Sequence, residues 1–301
     1  MSERFWQAME ERDTDLRGWV LAGVLTTGIY CVSGCPGRPK RENVRFFEST
    51  AAARAAGLRA CKRCRPDEAM GDAIVVDLDH RAPLDAGALL EFFARRAVPG
   101  VEELDGGVYR RSLRLPRGFG VAELRSLGES VLARLRLDDA RDRDAAVARI
   151  RALLDLDADP DAIVGALGGD ALLGPLVHAA PGRRVPGAVD SNEIAFRAVL
   201  GQQVSLSGAA TLAGRLVAAH GVRLSRPVGA VTHAFPSADA LAGADAATWA
   251  MPASRKGALQ GLAQALASRS VSLGDGADWR EAEDRLLALP GIGPWTAGYI
   301  A

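Results

Sequence analysis

Between residues 130 and 137 the order SVLARLRL sets Val131, Ala133, Leu135 and Leu137 against Leu132, Arg134 and Arg136, the two-residue alternation of a half-buried strand. IVVDLD (74–79) and GGVYRRSLRL (106–115) also read as strands. PLDAGALLEFFARRAV (83–98) places Leu89, Leu90, Phe92 and Phe93 on a helical period, and RDRDAAVARIRALLDL (141–156) returns to helix. From Asp190 the pattern is almost all helix. Residues 191–221 open on Ser191 as N-cap and close on Gly221, and 235–249 and 254–270 give further amphipathic segments. WREAEDRLLALPGIGPWTAGYI (279–300) then reads as helix, hairpin, helix, with Gly291 and Gly293 in the turn and Pro294 opening the second helix. The pattern predicts a multidomain α+β chain. Residues 1–72 form a small N-terminal module, 73–188 a small α+β domain with an antiparallel sheet, and 189–301 an all-α helix-hairpin-helix domain.

Composition adds bounds. A chain of 301 residues favours two or three cores over one. Its 48% apolar and 25% charged residues are ordinary for a soluble globular protein. No apolar run approaches the roughly 18 residues of a membrane span. The polar, acidic start MSERFWQAMEERD is unlike a signal peptide, so the expected location is the cytoplasm, with no membrane partner. Net charge is zero, yet nine Lys/Arg against two Glu lie between Arg38 and Arg65, a local excess of +7. A solvated basic face would account for this. The position of the charges around and between two cysteine pairs favours an anion-binding patch.

Those pairs hold all four cysteines: Cys31 and Cys35 in YCVSGC, Cys61 and Cys64 in CKRC. Two short knuckles with 25 residues between them match a tetrahedral zinc site, each knuckle supplying two thiolates. Two disulfides are the competing reading, which a reducing compartment disfavours. Residues 1–72 are the kind of small segment that needs a metal to fold. Four thiolates around Zn²⁺ carry a formal −2, so an accessible ligand sulfur stays deprotonated and electron-rich at neutral pH.

TTGIYC (26–31), Cys35, RENVRFF (41–47), AAARAAGLRACKRC (51–64) and RPDE (65–68) resemble the N-terminal zinc domain of the Ada DNA-alkylation repair family over roughly residues 4–70. The resemblance implies that Cys31 accepts a methyl group from an alkylated DNA phosphate. Cys35, Cys61 and Cys64 complete the site, and Thr27, Arg38, Arg59 and Arg63 face DNA. Two departures stand out: VSG replaces the commoner Arg-Pro-Ser between the first two cysteines, and the loop from Cys35 to Asn43 is about one residue short. Only about ten residues separate Cys64 from the first strand beyond, which leaves no room for the helix-turn-helix activator module usual in that family.

PLDAGALLEFFARRAV with VEELDGGVYRRSL, LGQQVS (200–205), the Leu-Pro-Gly-Ile-Gly turn and PWTAGY together resemble the AlkA branch of the helix-hairpin-helix DNA glycosylases over roughly 74–301. Two glycines let a phosphate approach main-chain N–H groups, a contact that carries no sequence preference. The resemblance implies that Phe92, Trp295 and Tyr299 line the pocket of an extruded base and that Gln203 fills the gap it leaves in the duplex. The family's catalytic aspartate lies a little beyond the second hairpin helix, so none is expected within these residues, and the sequence reads as truncated there. Asp275, Asp278 and Glu281 precede the hairpin, on the wrong side of the motif. His80 and His178 have no partner spacing that suggests a site.

The expected function is alkylation repair by a monomer acting on alkylated double-stranded DNA: methyl transfer from phosphotriesters to Cys31, plus excision of alkylated purines of the 3-methyladenine type. The expected cofactor is one Zn²⁺. A DNA-binding or alkylation-sensing protein without turnover is the alternative.

Overall fold

A computed structural model describes residues 2–128, 130–274 and 276–300, so Asp275 lies outside the described residues. The N-terminal module runs α1 (Ser2–Glu10), β1 (Leu21–Val24), β2 (Ile29–Val32), β3 (Val44–Phe46), α2 (Thr50–Ala55), β4 (Arg59–Ala60) and α3 (Pro66–Met70). Its sheet has the order β3-β1-β2-β4; β1 is antiparallel to β2 and β3, and β2 is parallel to β4. Ser49 caps α2 by accepting the Ala52 N–H, and Pro66 opens α3 where its missing N–H costs nothing.

The second module holds β5 (Ile74–Leu78), α4 (Ala86–Ala94), β6 (Glu102–Asp105), β7 (Val108–Leu115), β8 (Gly118–Leu127), β9 (Ser130–Leu137) and α5 (Arg143–Leu154). Short helices α6 (Pro160–Leu167) and α7 (Leu173–Ala179) follow. The strands form one antiparallel sheet in the order β5-β9-β8-β7-β6. The alternation read in β9 is present: Val131, Ala133, Leu135 and Leu137 face the core shared with α4 and α5. Strand β8, GFGVAELRSL, is absent from the sequence reading. It is buried on both faces, so apolar and polar residues do not alternate along it, and its central Glu123 is wholly buried.

The outer face of this sheet is covered by the N-terminal module. Val75, Val108 and Leu132 join the same apolar cluster as Phe5, Trp19, Tyr30 and Met70. Arg134 lies 4.8 Å over the Trp19 ring and, with Arg110 and Arg136, surrounds Glu123 at 2.6–3.3 Å. Gly18 has φ +84°, and a Cβ there would stand 2.9 Å from the Ala69 carbonyl oxygen and 3.0 Å from Arg134 Nη1. The Glu48 carboxylate pairs with Arg143 at 2.6 Å, and Arg226 pairs with Asp72. The hydrophobic core therefore runs across residue 72.

The third module comprises α8 (Ser191–Leu200), α9 (Leu206–His220), β10 (Val222–Val228), β11 (Val231–Ala234), α10 (Ala238–Ala242), α11 (Ala253–Ala267), α12 (Trp279–Leu287) and α13 (Pro294–Ile300). The helices match the expectation, and the β10–β11 hairpin is an addition to it. That hairpin packs Leu224, Val231 and Ala234 onto Val121 of the sheet. The N-cap of α8 is Asp190 rather than Ser191, because the Asp190 carboxylate accepts the N–H groups of Asn192 and Glu193. A buried charge network joins the second module to the third. Arg111 bonds Glu102 at 3.1 Å and Glu193 at 3.0 Å, while Arg197 bonds Glu102 and Glu193, each at 3.0 Å. No helix among the described residues is long and apolar enough to cross a membrane.

Candidate metal centre and nucleic-acid surfaces

The parallel pairing of β2 with β4 matches Tyr30 to Ala60, which places Cys31 beside Cys61. Each partner cysteine follows within a turn, and the four Sγ atoms lie within 4.8 Å of one another. A tetrahedral Zn²⁺ with Zn–S near 2.3 Å needs sulfurs roughly 3.8 Å apart, so the cluster fits one ion. All four cysteines are free of disulfides. Crowding four sulfurs without a cation splits their titration. Cys64 is pushed down to about 5, first by its hydrogen bond with Cys31, while that bond, burial and the neighbouring charge drive Cys31 far up. Only a cation lets all four ionise together. The Gly37 amide N–H donates to Cys35 and the Val32 amide N–H to Cys64, which draws charge from those two sulfurs. Cys31 is 8% exposed, and Cys61 is the most open of the four.

Thr27, Arg38, Arg59 and Arg63 are all exposed. Arg59 sits on β4 opposite Ile29, two residues before Cys61, and Arg63 lies inside the second knuckle. Arg41 leans on Trp6 and Phe46, and Arg45 on Phe47, so those two cations are partly held by rings of the module itself. Beneath the cluster Tyr30 donates to Asp67 at 2.7 Å, and Arg54 pairs with the same carboxylate at 2.7 Å.

In the third module the turn between α12 and α13 holds Gly291 at φ +85°, where a Cβ would stand 2.7 Å from Ala258 Cβ. A Cβ at Gly293 would meet nothing within 4 Å, so the backbone there is open to an approaching group. Gln202, which the sequence reading passed over, donates Nε2 to the Gly291 carbonyl and to Thr296 Oγ1, both at 3.0 Å. Arg255 in turn donates to the Gln202 carbonyl at 2.6 Å. The turn is thereby tied to the α8–α9 loop, where Gln203 is exposed with a left-handed backbone at φ +53°. Gly291→Ala should lower stability by about 1–3 kcal/mol from backbone strain and the Ala258 clash. An unchanged thermal midpoint would contradict that.

Ile292 and Ile300 are buried in the third module's core beside Leu286 and Ala297. Helix α13 packs against both α8 and α12, and that contact supplies the partners. Trp295 and Tyr299 are 67% and 48% exposed and stack on each other at 5.4 Å and 19°. Phe92 is half-buried at the edge of the sheet-helix core, with Arg96 over its ring. Asp278 caps α12 and Glu281 pairs with Arg285, which leaves neither upstream acid aimed at the turn.

A knuckled four-thiolate module, able to hold one metal ion, is thus folded onto an α+β domain and a module that ends in two helices joined by a glycine turn. The metal binding domain of Ada matches residues 4–67, and the AlkA N-terminal domain matches residues 75–190. The probable bifunctional transcriptional activator/DNA repair enzyme AlkA of Mycobacterium tuberculosis is 35% identical over 422 positions, covering 99% of this chain and 85% of the relative. Because 422 positions exceed the 301 residues of this chain, the relative carries additional sequence inside the matched span. DNA-3-methyladenine glycosylase 2 of Escherichia coli is 35% identical over 230 residues, 74% of this chain and 78% of the relative. The structure of the 3-methyladenine DNA-glycosylase from Archaeoglobus fulgidus superposes with a TM-score of 0.61 at 19% identity, covering 75% of this chain and 77% of the other, and so shares the fold. The chain belongs to the AlkA/Ada family of bifunctional DNA repair enzymes.

Proposed function

We propose that the N-terminal module removes methyl groups from DNA phosphotriesters onto Cys31, and that the second and third modules hold alkylated duplex DNA and receive an extruded damaged base, the whole acting as a monomer. The observation that carries this reading is the cluster of four sulfurs within 4.8 Å, set among exposed Arg38, Arg59 and Arg63. Zinc, when bound by the four cysteines, keeps the sulfurs deprotonated at neutral pH. The Cys31 sulfur attacks the methyl carbon, an S–C bond forms, and the C–O bond to the phosphate breaks. Its electron pair leaves with the oxygen to regenerate the anionic diester. A methyl phosphotriester is neutral, so the negatively charged cluster repels it less than ordinary phosphates. Transfer removes one negative charge from the cluster and lets neighbouring phosphates come closer, an electrostatic switch.

The amide donors on Cys35 and Cys64 favour the other two sulfurs as nucleophiles. Resemblance selects Cys31 over the more open Cys61. In the third module the open backbone at Gly293 and the exposed Gln203 suit phosphate contact and duplex invasion, and Trp295 with Tyr299 offers an aromatic wall to the base.

Labelled methyl uptake from a phosphotriester duplex should saturate at one methyl per zinc-loaded chain, and Cys31→Ser should abolish it. Uptake by the serine variant at the wild-type rate would overturn the reading. Replacing Arg38, Arg59 or Arg63 with Ala should weaken DNA binding and reduce the salt dependence of affinity by about one phosphate contact each. Salt slopes identical to wild type would place these side chains away from DNA.

A further inference from the structure

Gln202 links the three parts of the third module to which DNA contact is assigned above. Its Nε2 donates to the Gly291 carbonyl in the hairpin turn and to Thr296 Oγ1 in the first turn of α13, each at 3.0 Å. A carbonyl can only accept, so the amide must present its nitrogen here, and the two bonds use both of its N–H groups. Thr296 is buried, next to Trp295 and one turn before Tyr299. The residue that follows Gln202 is Gln203, exposed and left-handed at φ +53°.

The same peptide is held from a second side. Arg255, in the first turn of α11, donates Nη2 to the Gln202 carbonyl at 2.6 Å, which fixes the peptide plane that joins Gln202 to Gln203. Ala258 on the same helix is the residue that a Cβ at Gly291 would strike at 2.7 Å. Helix α11 therefore bears on the loop through Arg255 and on the turn through Ala258, and Gln202 closes the link between them. Gln202 and Arg255 are only half-buried, and neither belongs to the module's hydrophobic core, so their bonds act locally. A glutamine in the left-handed region needs such support from its surroundings.

We propose that Gln202, supported by Arg255, is a positioning residue for base extrusion. It sets Gln203 in register with the hairpin turn and with the Trp295–Tyr299 wall. Gripping the backbone, entering the duplex and receiving the base then fall on one nucleotide. Neither Gln202 nor Arg255 has to touch DNA for this. The proposal rests on the reading of Gln203, the hairpin and the aromatic pair given above.

The test uses the 301-residue chain and a duplex with one ethenoadenine, a base that brightens when it leaves the stack and so reports extrusion separately from binding. Saturating wild-type protein should raise the fluorescence. Gln202→Ala should lower the extrusion equilibrium about tenfold, the scale of the hydrogen bonds it removes. Gln202→Glu, of the same shape but without the donors, should do the same and guards against a folding defect in the first variant. Affinity for undamaged duplex and its salt slope should stay within about twofold, since they report phosphate contacts. Arg255→Met should also lower extrusion, and combining it with Gln202→Ala should cost less than the two single losses together. An unchanged rise in the folded variants overturns the proposal. So does a fall in undamaged-duplex affinity equal to the fall in extrusion, which would make Gln202 a support of the hairpin alone. No rise with saturating wild type overturns the reading of the site and this proposal with it.

Discussion

Removing the metal with a chelator should unfold residues 2–72, with a loss on the order of 10 kcal/mol of metal-linked folding energy. The effect should extend beyond that module, because Val75, Val108 and Leu132 are buried against its core and Arg134 rests on Trp19. Hydrogen exchange should therefore quicken throughout 2–72 and also in β5 and β9, while α8, α11 and α12 keep their protection. Exchange confined to the first 72 residues would show that the sheet face is stable without its cover. No change in those residues would mean that zinc does not hold the module together.

The second large effect concerns the joint between the second and third modules. Arg111→Met should destabilise the protein by about 3–5 kcal/mol, because it leaves Glu102 and Glu193 with less compensation for their buried charge. Burial alone would raise the Glu102 carboxyl, but Arg197 and Arg111, with hydrogen bonds from Tyr109 and the Val98 amide, hold it below its ordinary 4.5. A lowered carboxyl contributes stability that is complete above that ordinary value and is lost as pH falls through the folded-state value. Urea midpoints should accordingly drop on acidification below about pH 4.5 in the wild type and less steeply in Arg111→Met. Equal acid dependence in both proteins would remove the network from the account.

Much of this was legible in the sequence because the signals were local. Cysteine spacing alone specified the metal cluster, and β9 declared itself by alternation because one face meets apolar core and the other carries Arg134 and Arg136. Strand β8 gave no such signal, since it is covered on both sides and its Glu123 is neutralised by arginines from neighbouring strands. The contact between the zinc module and the sheet was likewise hidden, because it depends on Gly18 and Trp19 meeting Arg134, more than a hundred residues away. Trp295 and Tyr299 were singled out only through resemblance, since two aromatic residues four apart on a short helix carry no signal of their own.

The central claim, that Cys31 is the methyl acceptor of a zinc-thiolate centre, is tested most directly by peptide mass mapping of the zinc-loaded chain after reaction with a methyl phosphotriester duplex. The account predicts one methyl per chain, on the peptide containing Cys31 and localised to its sulfur, with Cys35, Cys61 and Cys64 unmodified. A methyl on Cys61, the more open ligand, or no methyl on any of the four, would contradict it.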